Sequence, residues 1–232
     1  MNHVLITGAG RGIGFELTRQ LLARGERVFA GCRQPHQAKP LQELEITYGR
    51  QLTIVRLDVT DDATLLSART AVAEETDHLD WLINNAGILV RGETLANFDP
   101  EVMKRTFDVN ATGPLRVAAR FVELLRQGTE PKLLNISSQL GSLHRAKAGG
   151  LYSYNASKAA LNMLTRMLAH DLQPDGITVV PVHPGWVQTD MGGSHAAVTP
   201  ADSAAGILRL ADKLTPEDSN KFYTYSGEEH PW

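Results

Sequence analysis

Short apolar runs alternate with longer stretches of helical period from one end of the chain to the other. That alternation limits the possible folds more than any other feature. The runs fall at residues 4–7, 27–31, 52–57, 81–83, 132–136, 177–182 and 221–225. Most are rich in β-branched or aromatic residues and are bounded by Gly, Pro, Asp or Asn, as buried strands are. Between them lie helical segments near 13–24, 61–75, 101–126, 154–172 and 201–213. A weaker helix is expected at 36–48, where Pro40 interrupts the pattern. Strands alternating with helices specify an α/β, doubly wound parallel sheet of Rossmann type, about seven strands wide, with helices on both faces.

The chain has 232 residues, enough for one large domain or two small ones. No Ser/Gly-rich linker, charge block or internal repeat divides it, so a single domain over 1–232 is expected. An apolar fraction of 42% excludes a disordered chain. A net charge of -3 argues against a dedicated nucleic-acid binder. The N-terminus has no signal-peptide pattern, and no apolar run approaches the ~20 residues of a membrane span. The expectation is therefore a soluble cytoplasmic protein with no membrane or nucleic-acid partner. Cys32 is the one cysteine, which excludes an internal disulfide and a cysteine-built zinc site. His144, His170, His195 and His230 lack metal-ligand spacing, so no metal is expected.

The first strand runs into Thr7-Gly8-Ala9-Gly10-Arg11-Gly12-Ile13-Gly14, and a helix follows at once. Glycines let the backbone turn sharply beside an anion, and the free amides at the helix start then face a pyrophosphate. Ile13 stands where the dinucleotide fingerprint has its third glycine. An acid after the second strand would bind a ribose 2′-hydroxyl and select NAD(H). Here that strand ends in Cys32-Arg33, without a carboxylate. A guanidinium at Arg33, joined by Arg11, suits a 2′-phosphate, so NADP(H) is expected ahead of NAD(H). Cys32 reads as an inert packed thiol beside the cofactor.

Further on, Ser137-Ser138 closes a strand and Tyr154-Asn155-Ala156-Ser157-Lys158 opens a long helix. Residues four apart share a helical face. An ammonium near a phenol lowers its pKa and readies it for proton exchange with an alcohol or ketone. Asn110 falls inside a helical pattern, where Asn is a poor helix former, which points to a kink or a water site. His183, before Pro184 at a strand end, reads as a packed histidine rather than a base.

These motifs together resemble the short-chain dehydrogenase/reductase family: Thr7-Gly8-x-x-x-Gly12-x-Gly14, Asp58-Val59, Asn84-Asn85-Ala86-Gly87, Asn110, Ser138, Tyr154-x-x-x-Lys158 and Pro184-Gly185-Trp186-Val187-Gln188-Thr189, all in family order. The Ser138–Tyr154 gap exceeds the family's usual one by a few residues. With the ending at 225–232, that gap resembles the carbonyl-reductase branch of sniffer and C-factor type. The resemblance implies roles. Tyr154 would be the acid/base, Lys158 would hold the nicotinamide ribose and tune it, and Ser138 would orient the carbonyl. Asn110 would hold a water linking Lys158 to solvent. Gly8, Gly10, Arg11, Gly12, Ile13 and Gly14 would wrap the pyrophosphate. Asp58 and Val59 would flank the adenine, and Asn85, Ala86 and Gly87 the adenosine ribose. Pro184, Gly185, Val187 and Thr189 would face the nicotinamide end. Asn84 would tie adjacent strands.

The function expected is hydride exchange between NADP(H) and a ketone, aldehyde or secondary alcohol. Only residues 190–199 separate the last motif from the next helix, which leaves little chain for a lid and predicts an open, apolar pocket. Leu140, Leu143, Trp186 and Met191 are its candidate lining. The rivals are a cofactor-binding signalling protein of C-factor type and a 3-ketoacyl-carrier reductase. For the latter, Arg145 and Lys147 are the only basic cue. Apolar positions Phe107, Val117, Phe121, Leu124, Leu125, Leu161, Met163, Leu164 and Leu168 exceed what one sheet face needs, so a homodimer or homotetramer through these helices is expected.

Overall fold

In the computed structural model, which describes residues 1–146 and 148–232, the strands are β1 His3–Thr7, β2 Arg27–Cys32, β3 Leu52–Arg56, β4 Trp81–Asn84, β5 Lys132–Ile136, β6 Thr178–His183 and β7 Tyr223–Thr224. They form one sheet in the order β3-β2-β1-β4-β5-β6-β7, and every pairing is parallel. The last strand is shorter than its apolar run suggested. β1 pairs with β2 on one side and β4 on the other. The chain therefore winds outward in both directions from β1, and a crevice opens beyond the carboxyl ends of β1 and β4.

Successive side chains leave a strand on opposite faces, so β1 feeds two cores. Val4 and Ile6 pack with Leu17, Leu21, Leu41 and Ile207. Those residues belong to α1 Gly12–Ala23, α2 Lys39–Tyr48 and α7 Pro200–Lys213. Leu5 faces the other way, with Leu65, Val117, Phe121 and Leu172. These come from α3 Asp62–Glu75, α5 Gly113–Leu125 and α6 Tyr152–Leu172.

Local chemistry sets the helix starts. Asp61 accepts from the amides of Ala63 and Thr64, and Thr199 accepts from that of Asp202. Pro40 sits in the first turn of α2, so it opens that helix rather than interrupting it. The helix expected at 101–126 is divided. α4 Pro100–Phe107 passes through a π-helical turn, Asp108–Thr112, into α5. Asn110 lies within that turn, where the regular α-helical pattern is interrupted.

The apolar surplus on α5 is absorbed inside the molecule. Val117, Phe121 and Leu125 are fully buried and Leu124 nearly so, as is Leu161 of α6. These residues fill the space between sheet and helices, which corrects their expected place on an assembly face. Met163 and Met167 of α6 do stay exposed. Among the described residues no helix is long and apolar enough to cross a membrane.

Candidate active site

The glycine turn occupies the crevice beside β1. Gly8 and Gly12 take φ of 67° and 57°, in the left-handed region that favours glycine. Gly14 is required by contact instead: a Cβ there would lie 2.4 Å from the carbonyl oxygen of Gly8. Ile13 turns its side chain to the core, so the glycine missing from the fingerprint costs nothing. Arg11 precedes α1 without capping it, and the first turn holds no acid. Unpaired amides and the positive helix end thus converge on the turn, which fits a pyrophosphate. Thr189 reaches over the helix start, its methyl 3.2 Å from where a Gly12 Cβ would stand. Gly185 precedes it with φ of 88°. Thr189 Oγ1 accepts from the amide of Gly192, and Ser203 donates to the carbonyl of Pro184.

Several expected contacts take a different form. Asn85 donates its side-chain amide to the carbonyls of Thr7 and Gly8, at 3.0 and 3.1 Å. Its side chain therefore braces the turn, and Ala86 joins the brace through its amide on Thr7 Oγ1. Val59 is buried against the position of Gly113, so only its backbone can face an adenine. Asp58 does not cap α3, a task Asp61 performs; its Oδ1 accepts from the amide and hydroxyl of Thr60. Arg11 pairs with Asp190 across the crevice mouth, so its charge is already partnered. Arg33 is exposed at the end of β2 and pairs with no carboxylate among the described residues. That end of β2 closes on the turn, where Cys32 and Ala38 stand beside Gly10. Burial pushes the Cys32 thiol up, in keeping with an inert packed residue.

Ser138, Tyr154 and Lys158 converge despite the long gap between the first two. Ser138 follows β5 by two residues, its hydroxyl accepts from the amide of Leu140, and it lies near enough to the Tyr154 phenol to favour the phenolate. Gly141 makes the approach possible: a Cβ there would sit 2.6 Å from the backbone carbon of Lys158. Lys158 is buried and donates to the carbonyl of Ile136 at 2.8 Å. Burial lowers its pKa to about 8. The Tyr154 phenol was expected below its usual value. Burial instead raises it, with the Ser138 hydrogen bond pulling the other way. Gly87 lies between Asn110 Oδ1 and Lys158 Nζ, 3.4 and 3.8 Å from its would-be Cβ. Asn110 also bonds the amide and carbonyl of Ile88 and the Ser157 hydroxyl. Asn84 ties Asn135 on the neighbouring strand at 2.9 Å. His183 is held by burial at about 4, neutral at physiological pH, as a packed histidine would be.

Trp186 and Leu140 are about half exposed, and Leu143 stands out in solvent on the insertion. The loop from Gly185 to Met191 is short but braced. Trp186 Nε1 donates to the carbonyl of Gly192, and Arg91 Nη2 donates to that of Met191 at 2.6 Å. Arg91 and the buried Glu93 escaped the sequence reading because no motif surrounds them. A signal for Glu93 did exist: Leu151-Tyr152 cannot cap a helix start, so α6 needs a partner from elsewhere. Lys147 lies outside the described residues, and Arg145 is turned to His230 at 3.5 Å.

A glycine-lined anion cradle at the point where the sheet reverses, with a tyrosine–lysine pair across from it, defines a dinucleotide-linked oxidoreductase. Residues 2–198 match the short chain dehydrogenase family, and the chain belongs to it. The C-signal protein of Myxococcus xanthus is 47% identical over 157 residues, covering 68% of this chain and 95% of that one. The 1-hydroxy-2-glutathionyl-2-methyl-3-butene dehydrogenase of Rhodococcus sp. strain AD45 is 34% identical over the full length of both. Among solved structures, carbonyl reductase Sniffer of D. melanogaster superposes with a TM-score of 0.95 at 31% identity, covering all of both chains. An NADPH-bound carbonyl reductase from chicken fatty liver superposes at 0.94 with 37% identity, covering 100% of this chain and 99% of that one.

Proposed function

We propose that residues 1–232 act as one NADP(H)-binding domain that reduces ketones or aldehydes to alcohols in the cytoplasm. The observation that carries this reading is the buried Lys158 one helical turn after the buried Tyr154, its Nζ 5.9 Å from the centre of the tyrosine ring. The NADPH-bound chicken enzyme supports the choice of cofactor. Gly8, Gly10, Gly12, Ile13 and Gly14 would hold the pyrophosphate, Arg33 the 2′-phosphate, and Asp58 with the backbone of Val59 the adenine. Ala86 and Gly87 would line the ribose, and Pro184, Gly185, Val187 and Thr189 the nicotinamide side. NADPH supplies the hydride. Ser138 holds the substrate oxygen and Tyr154 gives it a proton. Below a pH of about 8, Lys158 is cationic and stabilises the phenolate left behind. Asn110, fixed in the π turn, keeps the segment at Ile88 in place beside Lys158. Trp186, Leu140 and Met191 offer an apolar wall to the rest of the substrate.

The likeness to C-signal gives the rival some weight, that of a signalling protein binding cofactor without turnover. The retained Ser138, Tyr154 and Lys158 favour an enzyme. For an acyl-carrier substrate, Arg145 alone is a thin basic surface. For assembly we propose a homodimer or homotetramer through the exposed Met163 and Met167 of α6. The test is NADPH oxidation across a panel of ketones, aldehydes and quinones. Tyr154→Phe should abolish reduction and keep NADPH binding, whereas Tyr152→Phe, at the exposed helix start, should be mild. Full activity in Tyr154→Phe would end this reading.

A further inference from the structure

The start of α6 is held from outside the helix. Leu151, the residue before it, takes φ of 50° and supplies no side-chain cap. In its place a carboxylate arrives from the loop after β4. Glu93 Oε2 accepts from the amide of Ser153 at 2.8 Å, and Oε1 accepts from the Ser153 hydroxyl. The backbone carbonyl of Glu93 accepts from the amide of Leu151 at 3.3 Å. Glu93 is 7% exposed, and no lysine or arginine pairs with it among the described residues. A buried carboxylate without a cation is held by hydrogen bonds and by the positive end of the helix.

That loop is itself fixed. Asn110 grips Ile88 by amide and carbonyl, and Arg91 reaches across to Met191. Glu93 thus ties a braced loop to the residue immediately before Tyr154. Lys158, one turn on, does not share this dependence, because Ile136 holds it. The first turn of α6 contains Tyr154 and has no cap of its own.

We infer that Glu93 is a positioning residue for Tyr154, clamping the first turn of α6 so that the phenol keeps its register against Ser138. The inference rests on the reductase reading above. Loss of the carboxylate frees Ser153 and lets the turn fray. Tyr154 then loses its place, whereas the glycine turn and Lys158 keep theirs.

The experiment compares Glu93→Ala, Glu93→Gln and Glu93→Asp with the parent. It measures kcat and KM for a reduced ketone, NADPH affinity by fluorescence, and hydrogen exchange across residues 152–158. Glu93→Ala should lower kcat roughly tenfold to a hundredfold, as misplacement of a reacting group by up to an ångström does. NADPH affinity should hold within about twofold, and exchange in the first turn should rise. Glu93→Gln should recover most of both, because its amide oxygen still accepts from the Ser153 amide. Parental kcat in Glu93→Ala, equal loss of kcat and NADPH affinity, or no recovery in Glu93→Gln would each overturn the inference. If Glu93→Ala does not fold, Glu93→Asp decides, since its carboxylate stops one methylene short of the Ser153 amide: a lower kcat with unchanged NADPH binding supports the clamp, and a parental kcat overturns it. If the parent itself reduces no carbonyl, the reductase reading fails. First-turn exchange then judges the clamp by itself, and protection in Glu93→Ala equal to the parent's overturns it.

Discussion

Replacing Gly141 by Ala tests how the two halves of the reactive cluster are brought together. Gly141 ends the short turn after Ser138 and has an ordinary backbone conformation, so the effect of a methyl group there is purely one of contact. The new Cβ would stand 2.6 Å from the carbonyl carbon of Lys158, 2.8 Å from its oxygen and 2.9 Å from the amide nitrogen of Ala159. All three are backbone atoms of α6, so no rotamer change relieves the clash. Ordinary van der Waals contact begins near 3.4 Å, so turn and helix must part by about 0.8 Å. Overpacking of this kind costs roughly 1–3 kcal/mol. At about 2–4 °C per kcal/mol for a chain of this size, the melting temperature should drop by several degrees. Catalysis should suffer more, because the displacement opens the contact of Ser138 with Tyr154. A shift approaching an ångström predicts a kcat lower by roughly ten- to a hundredfold. NADPH affinity should change little, since the glycine turn lies across the crevice. Steady-state kinetics, fluorescence titration with NADPH and thermal melting check the three claims together. A Gly141→Ala protein with parental kcat would refute the argument that this approach sets the reactive geometry.

Other outcomes follow from the same contacts. Arg33→Asp should weaken NADPH relative to NADH by roughly ten- to a hundredfold, since one charge-assisted contact worth about 1.5–3 kcal/mol becomes a repulsion; kcat/KM with both cofactors measures it. His183 is held near 4 by burial, helped by the His230 ring and Arg145, against 6.5 when exposed. Between those values the unfolded chain takes up a proton that the native fold refuses, so stability falls as pH drops through this window. His183→Gln should flatten the fall by up to roughly 3 kcal/mol in melting curves run from neutral to acid pH. Met163→Glu or Met167→Glu should shift the mass seen by light scattering towards the 25.3 kDa of one chain, with the fold intact because both side chains are exposed.

The seven-strand sheet was legible because buried strands and amphipathic helices repeat with periods that survive in the sequence. The glycine turn and the Tyr154–Lys158 pair were legible because their spacing is local. What escaped depends on contacts between distant segments. Pro40 reads as a breaker until its place in the first turn is known. The apolar residues of α5 look like surplus until the sheet and its neighbouring helices close around Phe121. Asn85 carries the right residue type for a ribose contact, yet the carbonyls of Thr7 and Gly8 claim its amide. Arg11 likewise meets Asp190, a residue 179 positions away. Glu93 lies in a stretch without periodicity, and only the missing cap of α6 hinted that something must reach it.

The π turn at 108–112 makes the length of this segment as consequential as its composition. It accommodates one residue more than an α-helical turn would. Deleting any one of the five would let α4 and α5 join as a regular helix. Because the wide turn already absorbs the extra residue, the faces of α4 and α5 would keep their relative orientation. The loss would fall on Asn110, whose place in that turn lets it hold both Ile88 and Ser157. A deletion elsewhere in α4 or α5 would instead turn one half by about 100° against the other and pull Phe121 from under the sheet. A deletion scan across residues 100–125, read by thermal melting, should therefore mark the turn as a narrow tolerant band in a segment that otherwise resists any change of length.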